Sequence, residues 1–368
     1  MNFDDLKKII KHFPTDGEIV SARAYGDGHI NDTFLVSCSN DDGRVSKYTL
    51  QHINSNVFPK PYEVMENIVN VTSFLKNKIK QTGGDPERQT LSVLTANDGK
   101  SYYLDENGLY WRVYPYIGAS TTYNMVNKPE DFYKAGKAVG NFMMLLADYP
   151  ADSLHETIKN FHNTPSRYQD LMKAIEQDKA GRASSVAAEI EFVKSRKDFT
   201  ETLVNAYEKG EIPVRVTHND TKLNNILFDK ATDEPICLID LDTIMPGFSA
   251  CDFGDSIRVG ANTGAEDEKE LSLVGIDLLL YEMFTKGYLE ACGDALTDKE
   301  IELLPYGAKM LTLECGMRFL TDYLNGDVYF KTQYPDHNLV RCRSQFKLVA
   351  SMEENWDKMI KINNKYSK

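Results

Sequence analysis

The residues whose types and spacing could do chemistry lie in one polar loop and in an acid that follows it. Asp220 and Asn225 stand five residues apart between two apolar runs, and Asp240 ends a third apolar run 20 residues after Asp220. Interpreted as short strands, these runs deliver the three side chains to one end of a small sheet. Phosphoryl transfer from a nucleotide needs one carboxylate to deprotonate the accepting hydroxyl. It also needs a carboxylate and a side-chain amide to hold magnesium against the phosphates.

The spacing within this loop supports that interpretation. Five residues separate the aspartate and the asparagine of the protein-kinase catalytic loop H-R-D-x-x-x-x-N. Lys222 is placed to neutralise charge on the transferring phosphoryl group. A plain polar β-turn with Asx caps is the alternative, but it does not explain Asp240. We therefore predict Asp220 and Lys222 as catalytic residues, and Asn225 and Asp240 as magnesium ligands.

A second acidic motif is less suited to a metal. Asp252-Phe253-Gly254 matches the D-F-G of protein kinases, but Asp252 follows Asp220 by 32 residues and enters an expected helix. We predict that Asp252 is a structural cap tying that helix to the catalytic loop. Asp242 is interpreted as a supporting group or a strand-end cap and is left out of the metal set.

Composition limits the classes of function. The chain has 368 residues, enough for two lobes with separate cores, and its net charge of −13 argues against a nucleic-acid surface. Six scattered cysteines lack C-x-x-C pairs, no signal peptide is visible, and no apolar run nears the roughly 20 residues of a membrane span. We expect a cytoplasmic protein, a monomer in preference to an oligomer.

The first third of the chain is rich in strand patterns. An amphipathic helix is predicted over 3–13 and a second one over 62–79. The predicted strands are Ile19–Ala24, Thr33–Cys38, Lys47–Ile53, Thr90–Leu94, Ser101–Leu104 and Leu109–Ile117.

Between the first two of these strands lies a glycine-rich turn made of Gly26, Asp27 and Gly28. Such a turn lets backbone amides approach phosphates without a Cβ in the way. Two glycines in a hairpin can also be turn chemistry alone, so both interpretations stay open at this point.

After Gly118 the pattern becomes mainly helical. Helices are predicted at 129–147, 166–178, 186–209, 267–290, 299–324 and 338–364. We therefore predict an α+β, bilobal protein-kinase-like fold, with a small antiparallel-sheet lobe plus one helix over 1–117 and a mainly helical lobe over 118–368. Adenine would hydrogen-bond the backbone of Pro115, Tyr116 and Ile117 at the boundary, where Pro115 has no N–H to offer.

Several of these motifs together carry a family resemblance. They are His218-Asn219-Asp220 with Asn225, the Ile239-Asp240 strand and Asp252. In these segments the chain resembles the aminoglycoside phosphotransferase/choline kinase-like family. Six segments carry a closer match, to members that act on N-acetylhexosamines. These segments are Tyr25–Asn31, Thr217–Leu227, Ile239–Gly247, Asp252–Arg258, Glu314–Leu320 and Tyr334–Arg341. The resemblance runs over nearly the whole chain.

The resemblance implies phosphorylation of the anomeric hydroxyl of N-acetylglucosamine or N-acetylgalactosamine, with ATP and Mg²⁺ as cofactors and the α-1-phosphate as product. It implies Asp220 as base, and places Arg318 and Tyr329 at the sugar with His29 and Asn31. A neutral sugar needs directional hydrogen bonds, which these residue types supply. Arg318 could instead pair with Glu314, four residues earlier on the same helix.

The chain departs from the wider kinase pattern in its third strand. The lysine that usually serves the α- and β-phosphates is replaced by Gln51 or His52, and Lys47 lies four residues upstream. Glu63 and Glu66 stand on the following helix, where the lysine's usual glutamate partner is expected. We therefore assign no lysine–glutamate pair.

Three alternatives stay open. The first is a related kinase for homoserine, choline or a methylthioribose-like sugar. The second is a nucleotide-binding pseudokinase, which the missing lysine favours and the retention of Asp220, Asn225 and Asp240 opposes. The third is an interaction protein that docks through 338–364, although the apolar residues of that helix are better explained as core.

Overall fold

The computed structural model describes residues 1–26 and 30–367, and the chain divides into two compact units. The first unit comprises Met1–Thr121, Asp152–Lys159 and Leu227–Met245. The second unit comprises Thr122–Ala151, Asn160–Ile226 and Pro246–Lys368.

The strands, in chain order, are β1 (Glu18–Ala24), β2 (Asp32–Ser39), β3 (Val45–Ile53), β4 (Tyr103–Leu104), β5 (Tyr110–Pro115), β6 (Ser120–Thr121), β7 (Arg215–Thr217), β8 (Ile226–Asp229), β9 (Pro235–Leu238) and β10 (Met245–Gly247). The helices are α1 (Phe3–Ile10), α2 (Pro61–Gln81), α3 (Pro86–Gln89), α4 (Pro129–Leu145), α5 (Thr164–Gln177), α6 (Ala187–Lys194), α7 (Lys197–Thr200), α8 (Thr202–Glu208), α9 (Ser249–Gly260), α10 (Leu278–Cys292), α11 (Asp298–Asn325), α12 (His337–Glu354) and α13 (Trp356–Tyr366).

The first unit is built on an antiparallel sheet in the order β1-β2-β3-β5-β4. Alternate residues of a strand face opposite sides of a sheet. Tyr48 and Leu50 of β3 therefore share one apolar core with Trp111 and Val113 of β5, which α1 covers with side chains such as Ile10. Gln51, on the opposite side, stands directly across from Arg112.

Helix α2 connects the other segments of the first unit. Its buried residues include Val64, Met65 and Ile68. Buried Asn67 donates to the carbonyls of His155 and Ile244, at 2.9 and 3.0 Å, and accepts from the His155 amide. One amide side chain thus fixes the chain that follows β9 against the helix.

The second unit is a helical assembly in which α4 packs closely on α10. A Cβ added at Gly136 or Gly140 of α4 would overlap the backbone of α10, and one at Gly287 would overlap the backbone of α4. Glycine permits this approach because it has no side chain. A second core gathers around α11, where Leu313, Met317 and Leu320 are buried among residues of α5, α6 and α12.

The α+β prediction is confirmed, and most predicted elements are present. The predicted strand Thr90–Leu94 is wrong: α3 ends at Gln89, and the Leu94 amide makes a single ladder-like bond to the Val113 carbonyl. The predicted helix 186–209 is broken into α6, α7 and α8. An apolar period continues across such short breaks, which is why periodicity alone missed them.

Other boundaries shift. Helix α1 ends at Ile10 instead of residue 13, and α10 begins only at Leu278, where Asp277 accepts hydrogen bonds from two helix amides. The segment predicted as one helix over 338–364 breaks at Asn355 into α12 and α13. Of the apolar residues predicted to face the core, Leu339, Phe346, Leu348, Val349 and Met352 are buried and Trp356 is partly buried. Among the described residues, no helix is long and apolar enough to cross a membrane.

Candidate active site

In the second unit, Asp220 lies in a loop held by its own neighbours. The loop leaves β7, passes through Asn219 in the left-handed region at φ 63°, and closes in a 3₁₀ turn over Leu223–Asn225 before β8 begins. Asparagine tolerates this backbone conformation better than most residues. Asn225 Nδ2 then donates to the backbone carbonyl of Asp220 and to its Oδ2, both at 2.9 Å.

The second carboxylate oxygen of Asp220 faces a cation. Lys222 Nζ lies 3.0 Å from Oδ1, and both side chains remain partly exposed. Lys222 and Asn225 therefore orient the carboxylate from two sides while leaving it accessible. The structure thus brings together three of the four residues that the loop motif predicted.

Asp252 fixes the backbone of the same loop. It is fully buried in the first turn of α9, and its two oxygens accept from the amides of His218 and Asn219 at 2.8 and 2.7 Å. Burial raises the pKa of Asp252, although the nearby His218 and the two amide donors oppose the shift. The prediction that Asp252 ties the helix to the loop is confirmed, with one correction. It caps loop amides rather than its own helix, whose N-cap is Phe248.

A second contact joins α9 to the loop. Thr221 Oγ1 donates to the Asp252 carbonyl at 2.6 Å, and Ser256 Oγ donates to the Thr221 carbonyl at 3.0 Å. All three residues are buried. The loop therefore has little freedom to change its conformation.

The predicted magnesium ligands carry suitable oxygens. Because Asn225 uses Nδ2 for Asp220, its Oδ1 is turned away from that carboxylate, and no hydrogen bond to this oxygen from a described residue is seen. Asp240 lies in the first unit, two residues beyond the end of β9, in the left-handed region at φ 62°. Carboxylate and amide oxygens are the donors that Mg²⁺ prefers, so both residues fit the ion.

Asp242 follows in a buried turn. Its carboxylate lies 2.5 Å from Arg112 Nη1 of β5, and both side chains are almost completely buried. Burial favours a neutral Arg112, but the charges of Asp242 and Asp240 outweigh it and raise the arginine's pKa above its ordinary value. Asp242 is thus engaged by a cation within the first unit.

The glycine-rich turn is described only at its two ends. Asp27, Gly28 and His29 lie outside the described residues. Gly26 has φ +82°, with open space where a Cβ would stand. At the other end, Asn31 donates to Asp242 Oδ2 at 2.5 Å and accepts from the Asn54 amide at 3.0 Å. Asn31 thus links the end of the turn to the segment that follows β9.

The segment predicted to bind adenine has fewer free donors than expected. The Tyr116 amide donates to the Lys47 carbonyl at 3.0 Å, and Pro115 has no N–H. The Ile117 amide donates to no acceptor in the described part of the chain, so it is the donor that remains for a ligand. The Tyr116 hydroxyl lies 3.4 Å from that of Tyr25, beside the glycine-rich turn. Burial and this contact raise the pKa of Tyr25 to about 12.

Arg318 is held by aromatic rings in the second unit. Its guanidinium carbon lies 5.4 Å from the ring centre of Phe161, 5.9 Å from Tyr329 and 5.6 Å from Phe330. Among residues 1–26 and 30–367 no carboxylate forms an ion pair with it. Glu314 pairs with His162 instead, although the charge of Arg318 helps to lower the pKa of that carboxyl. Tyr329 is largely exposed, and its amide donates to Asp322.

Glu314 is engaged elsewhere. This fully buried carboxylate accepts from Thr164 Oγ1 at 2.7 Å and lies 2.8 Å from His162 Nδ1. Burial favours the neutral acid, but the charge of His162 and the two hydrogen bonds outweigh it, and the pKa of Glu314 lies below its ordinary value. The other ring nitrogen of His162 is 3.4 Å from the Asn219 carbonyl. His162 thus connects α11 to the catalytic loop.

Sequence reasoning did not assign a role to Arg112 or His162. Arg112 is the one charged residue in the apolar run Tyr110–Pro115. A lone charge in such a run signals a buried ion pair, and this signal could have identified it. His162 has no comparable signal, because its partner Glu314 lies 152 residues away along the chain.

Comparisons with known proteins identify the family of the chain. The profile of the family described as APH, phosphotransferase enzyme family, matches residues 21–273, which is more than half of the chain.

Three solved structures share the fold. An aminoglycoside phosphotransferase from Alicyclobacillus acidocaldarius matches with a TM-score of 0.59 and 12% identity over 98% of this chain and 95% of that one. A choline kinase from Cryptosporidium parvum gives 0.56 and 13%, over 99% of each chain. An amicoumacin kinase in complex with AMP-PNP and Ca²⁺ gives 0.57 and 14%, over 94% and 93%. The expectation of a protein-kinase-like fold is thereby confirmed.

We predict that Asp252→Asn destabilises the protein by about 1–3 kcal/mol, because the side-chain NH₂ would face a backbone N–H and leave a buried donor unsatisfied. The free energy of unfolding in urea measures this, with Asp41→Asn on an exposed turn as control. Unchanged stability together with lost magnesium affinity would return Asp252 to the metal set.

Glu314→Gln should change how stability depends on pH. Because the folded-state pKa of Glu314 is depressed, its contribution is present above the unfolded value of about 4.3. It is lost as pH falls through the lower folded value. The wild type should therefore be more stable than the variant at pH 7, and the difference should shrink below about pH 4. Urea unfolding across this range, with exposed Glu106→Gln as control, tests it. A pH-independent difference contradicts the assignment.

Proposed function

The chain belongs to the APH phosphotransferase enzyme family, and from this premise we propose that it transfers the γ-phosphoryl group of ATP to the anomeric hydroxyl of an N-acetylhexosamine. The acceptors are N-acetylglucosamine and N-acetylgalactosamine, and the product is the α-1-phosphate. Small-molecule phosphotransfer follows from the family. The sugar and the position of attack are the proposal.

Asp220 is the base in this proposal. Lys222 and Asn225 fix its two oxygens, so the carboxylate is oriented before the acceptor arrives. An anomeric hydroxyl is more acidic than an ordinary alcohol, and an aspartate can therefore remove its proton as the phosphoryl group is transferred. Lys222 then balances the charge that develops on the phosphoryl oxygens.

Asn225 and Asp240 are the residues that would hold Mg²⁺, which neutralises phosphate charge when bound. For the nucleotide, we propose the amides of Gly26, Asp27 and Gly28 at the phosphates. We place the adenine at Pro115–Ile117, with Ile117 as the backbone donor. The amicoumacin kinase in complex with AMP-PNP supports an adenine nucleotide as the donor.

Arg318 carries the assignment of the acceptor. A guanidinium held by three aromatic rings, without a carboxylate partner in the described chain, keeps its hydrogen-bond donors for a ligand. Together with Tyr329, His29 and Asn31, it would supply the directional bonds that a neutral sugar needs.

The same observation opposes the choline alternative. A quaternary ammonium binds against the faces of aromatic rings. Here the rings of Phe161, Tyr329 and Phe330 surround a cation of the protein itself, which would repel a second one. A pseudokinase would not need Asp220 to be oriented from two sides.

We predict that ADP release from Mg·ATP depends on N-acetylglucosamine or N-acetylgalactosamine, and that homoserine and choline do not support it. Asp220→Asn should lower kcat by two or more orders of magnitude, consistent with the roughly 10²–10⁴-fold contribution of general base catalysis. Asp152→Asn, on the surface, serves as control. If ADP is released only with choline or homoserine, the protein is a related kinase for that acceptor and not a sugar kinase.

Arg318→Leu should raise the KM for the sugar by about tenfold or more with little change in the KM for ATP, because the lost interaction is made to the acceptor alone. Arg343→Leu, which removes an exposed arginine of α12, is the matched control. An equal rise in both KM values would mean that Arg318 supports the fold rather than the sugar.

A further inference from the structure

A polar row crosses the sheet of the first unit at the level where a kinase lysine is expected. Thr33 of β2, Gln51 of β3 and Arg112 of β5 are cross-strand neighbours. Gln51 donates to Thr33 Oγ1 at 2.9 Å and accepts from Arg112 Nε at 3.0 Å. The position of the missing lysine is thus connected directly to a cation on the next strand.

Arg112 is bound at its other end by Asp242. The two side chains are 1% and 5% exposed, and Nη1 and Oδ1 are 2.5 Å apart. Removing both charges from water is costly, and a buried pair offsets that cost only with good geometry and further hydrogen bonds. Further hydrogen bonds are present on both sides, because Asn31 donates to Asp242 Oδ2 and Arg112 Nε donates to Gln51. Asp242 Oδ1 faces the guanidinium as an ion-pair contact and has no hydrogen-bond partner in the described chain.

Asn31 extends the connection to the glycine-rich turn. It joins Asp242, two residues after the proposed metal ligand Asp240, to the Asn54 amide beyond β3. The contacts from Arg112 through Asp242 to Asn31 therefore reach two parts of the nucleotide site. These are the loop that carries Asp240 and the end of the turn expected to hold phosphates.

The glutamates of α2 that could pair with a small-lobe cation have other partners. Glu63 and Glu66 of α2 pair with Lys60 and His155, at 2.7 and 2.6 Å. The α2 residue that approaches Arg112 is Met65, with its sulfur 3.9 Å from Nη1. A glutamate of this helix therefore does not serve as the partner of the cation, and Asp242 does.

The neighbouring candidates on β3 do not take this place. His52 contacts Asp32 at 3.3 Å and packs against Trp111. Lys47 is exposed near the start of the strand.

We propose that Arg112 is the positioning residue that replaces the lysine of the small lobe, acting through Asp242 and Asn31. In protein kinases a lysine on the third strand pairs with a helix glutamate and serves the phosphates. Here the cation comes from β5, its partner follows β9, and its effect on the nucleotide is indirect. Asp242 stands two residues after Asp240, so a fixed Arg112–Asp242 pair sets the position of the backbone that carries the proposed Mg²⁺ ligand. The inference rests on the nucleotide part of the proposed function and not on the identity of the acceptor.

The first test measures ADP affinity of the full chain by titration calorimetry, with and without Mg²⁺. In Arg112→Gln, the gain in ADP affinity on adding Mg²⁺ should fall by about 10–100-fold, the usual loss when the residue orienting a metal ligand is removed. A variant that melts at a lower temperature but keeps the wild-type gain would show a purely structural pair and overturn the proposal.

Two controls accompany this variant. Lys47→Ala should keep catalysis within about tenfold of wild type and leave the magnesium gain unchanged. Arg196→Gln breaks the two-pronged pair with Glu353, at 3.0 and 2.6 Å, in the second unit. It should lower stability without changing the gain. A loss of the gain in either control would contradict the specific role of Arg112.

A double variant distinguishes a positioning role of Arg112 from a purely stabilising one. It also provides a test if Arg112→Gln does not fold. Arg112→Met/Asp242→Leu removes both charges, and well-packed apolar residues often restore the stability lost with one partner of a buried pair. We expect the melting temperature to recover relative to the single variants while the magnesium gain stays low. Recovery of both would overturn the proposal.

Asp242→Asn keeps the shape of the side chain and should lose part of the gain in ADP affinity on adding Mg²⁺. If this gain is unchanged in Asp242→Asn, the proposal is also overturned. A wild type without any magnesium gain contradicts the proposed nucleotide use itself, whereas failure of the sugar assay leaves this test intact.

Discussion

The catalytic loop depends on one buried carboxylate. Asp252 accepts hydrogen bonds from two successive loop amides, one of them on Asn219 in the left-handed region. Without that acceptor, two buried backbone N–H groups would have no hydrogen-bond partner, which would lower the free energy of unfolding. The restraint sets the backbone from which Asp220 projects. Lys222 and Asn225 then orient the side chain on a backbone that is already fixed.

In the first unit, too, a buried charged group restrains the segment that carries a predicted site residue. Asp240 and Asp242 lie two and four residues beyond the end of β9, and mutual repulsion would disfavour both as free anions. Arg112 balances the charge of Asp242, and Asn31 donates a hydrogen bond to Oδ2 of the same carboxylate. The buried pair gives that segment a defined geometry, at a desolvation cost that an apolar core would not have.

Local pattern predicted most of the elements and the grouping of Asp220, Lys222 and Asn225, because short-range spacing places these three residues in one loop. It also predicted that Asp252 ties α9 to the loop, because its distance along the chain from Asp220 argued against the D-F-G interpretation. The local sequence pattern could not predict contacts between segments that are distant along the chain. The pairs Arg112–Asp242 and His162–Glu314 join residues 130 and 152 positions apart, counted from 112 to 242 and from 162 to 314. The breaks within 186–209 do not interrupt the apolar period either, so periodicity did not reveal them.

The most direct test of anomeric phosphorylation is the structure of the product formed from N-acetylglucosamine and Mg·ATP, determined by phosphorus and proton NMR. We expect a single phosphate coupled to the anomeric proton in the α configuration, with loss of the free reducing end. A phosphate on any other hydroxyl, or an unchanged sugar under conditions in which ADP binds with its magnesium gain, would contradict an anomeric kinase.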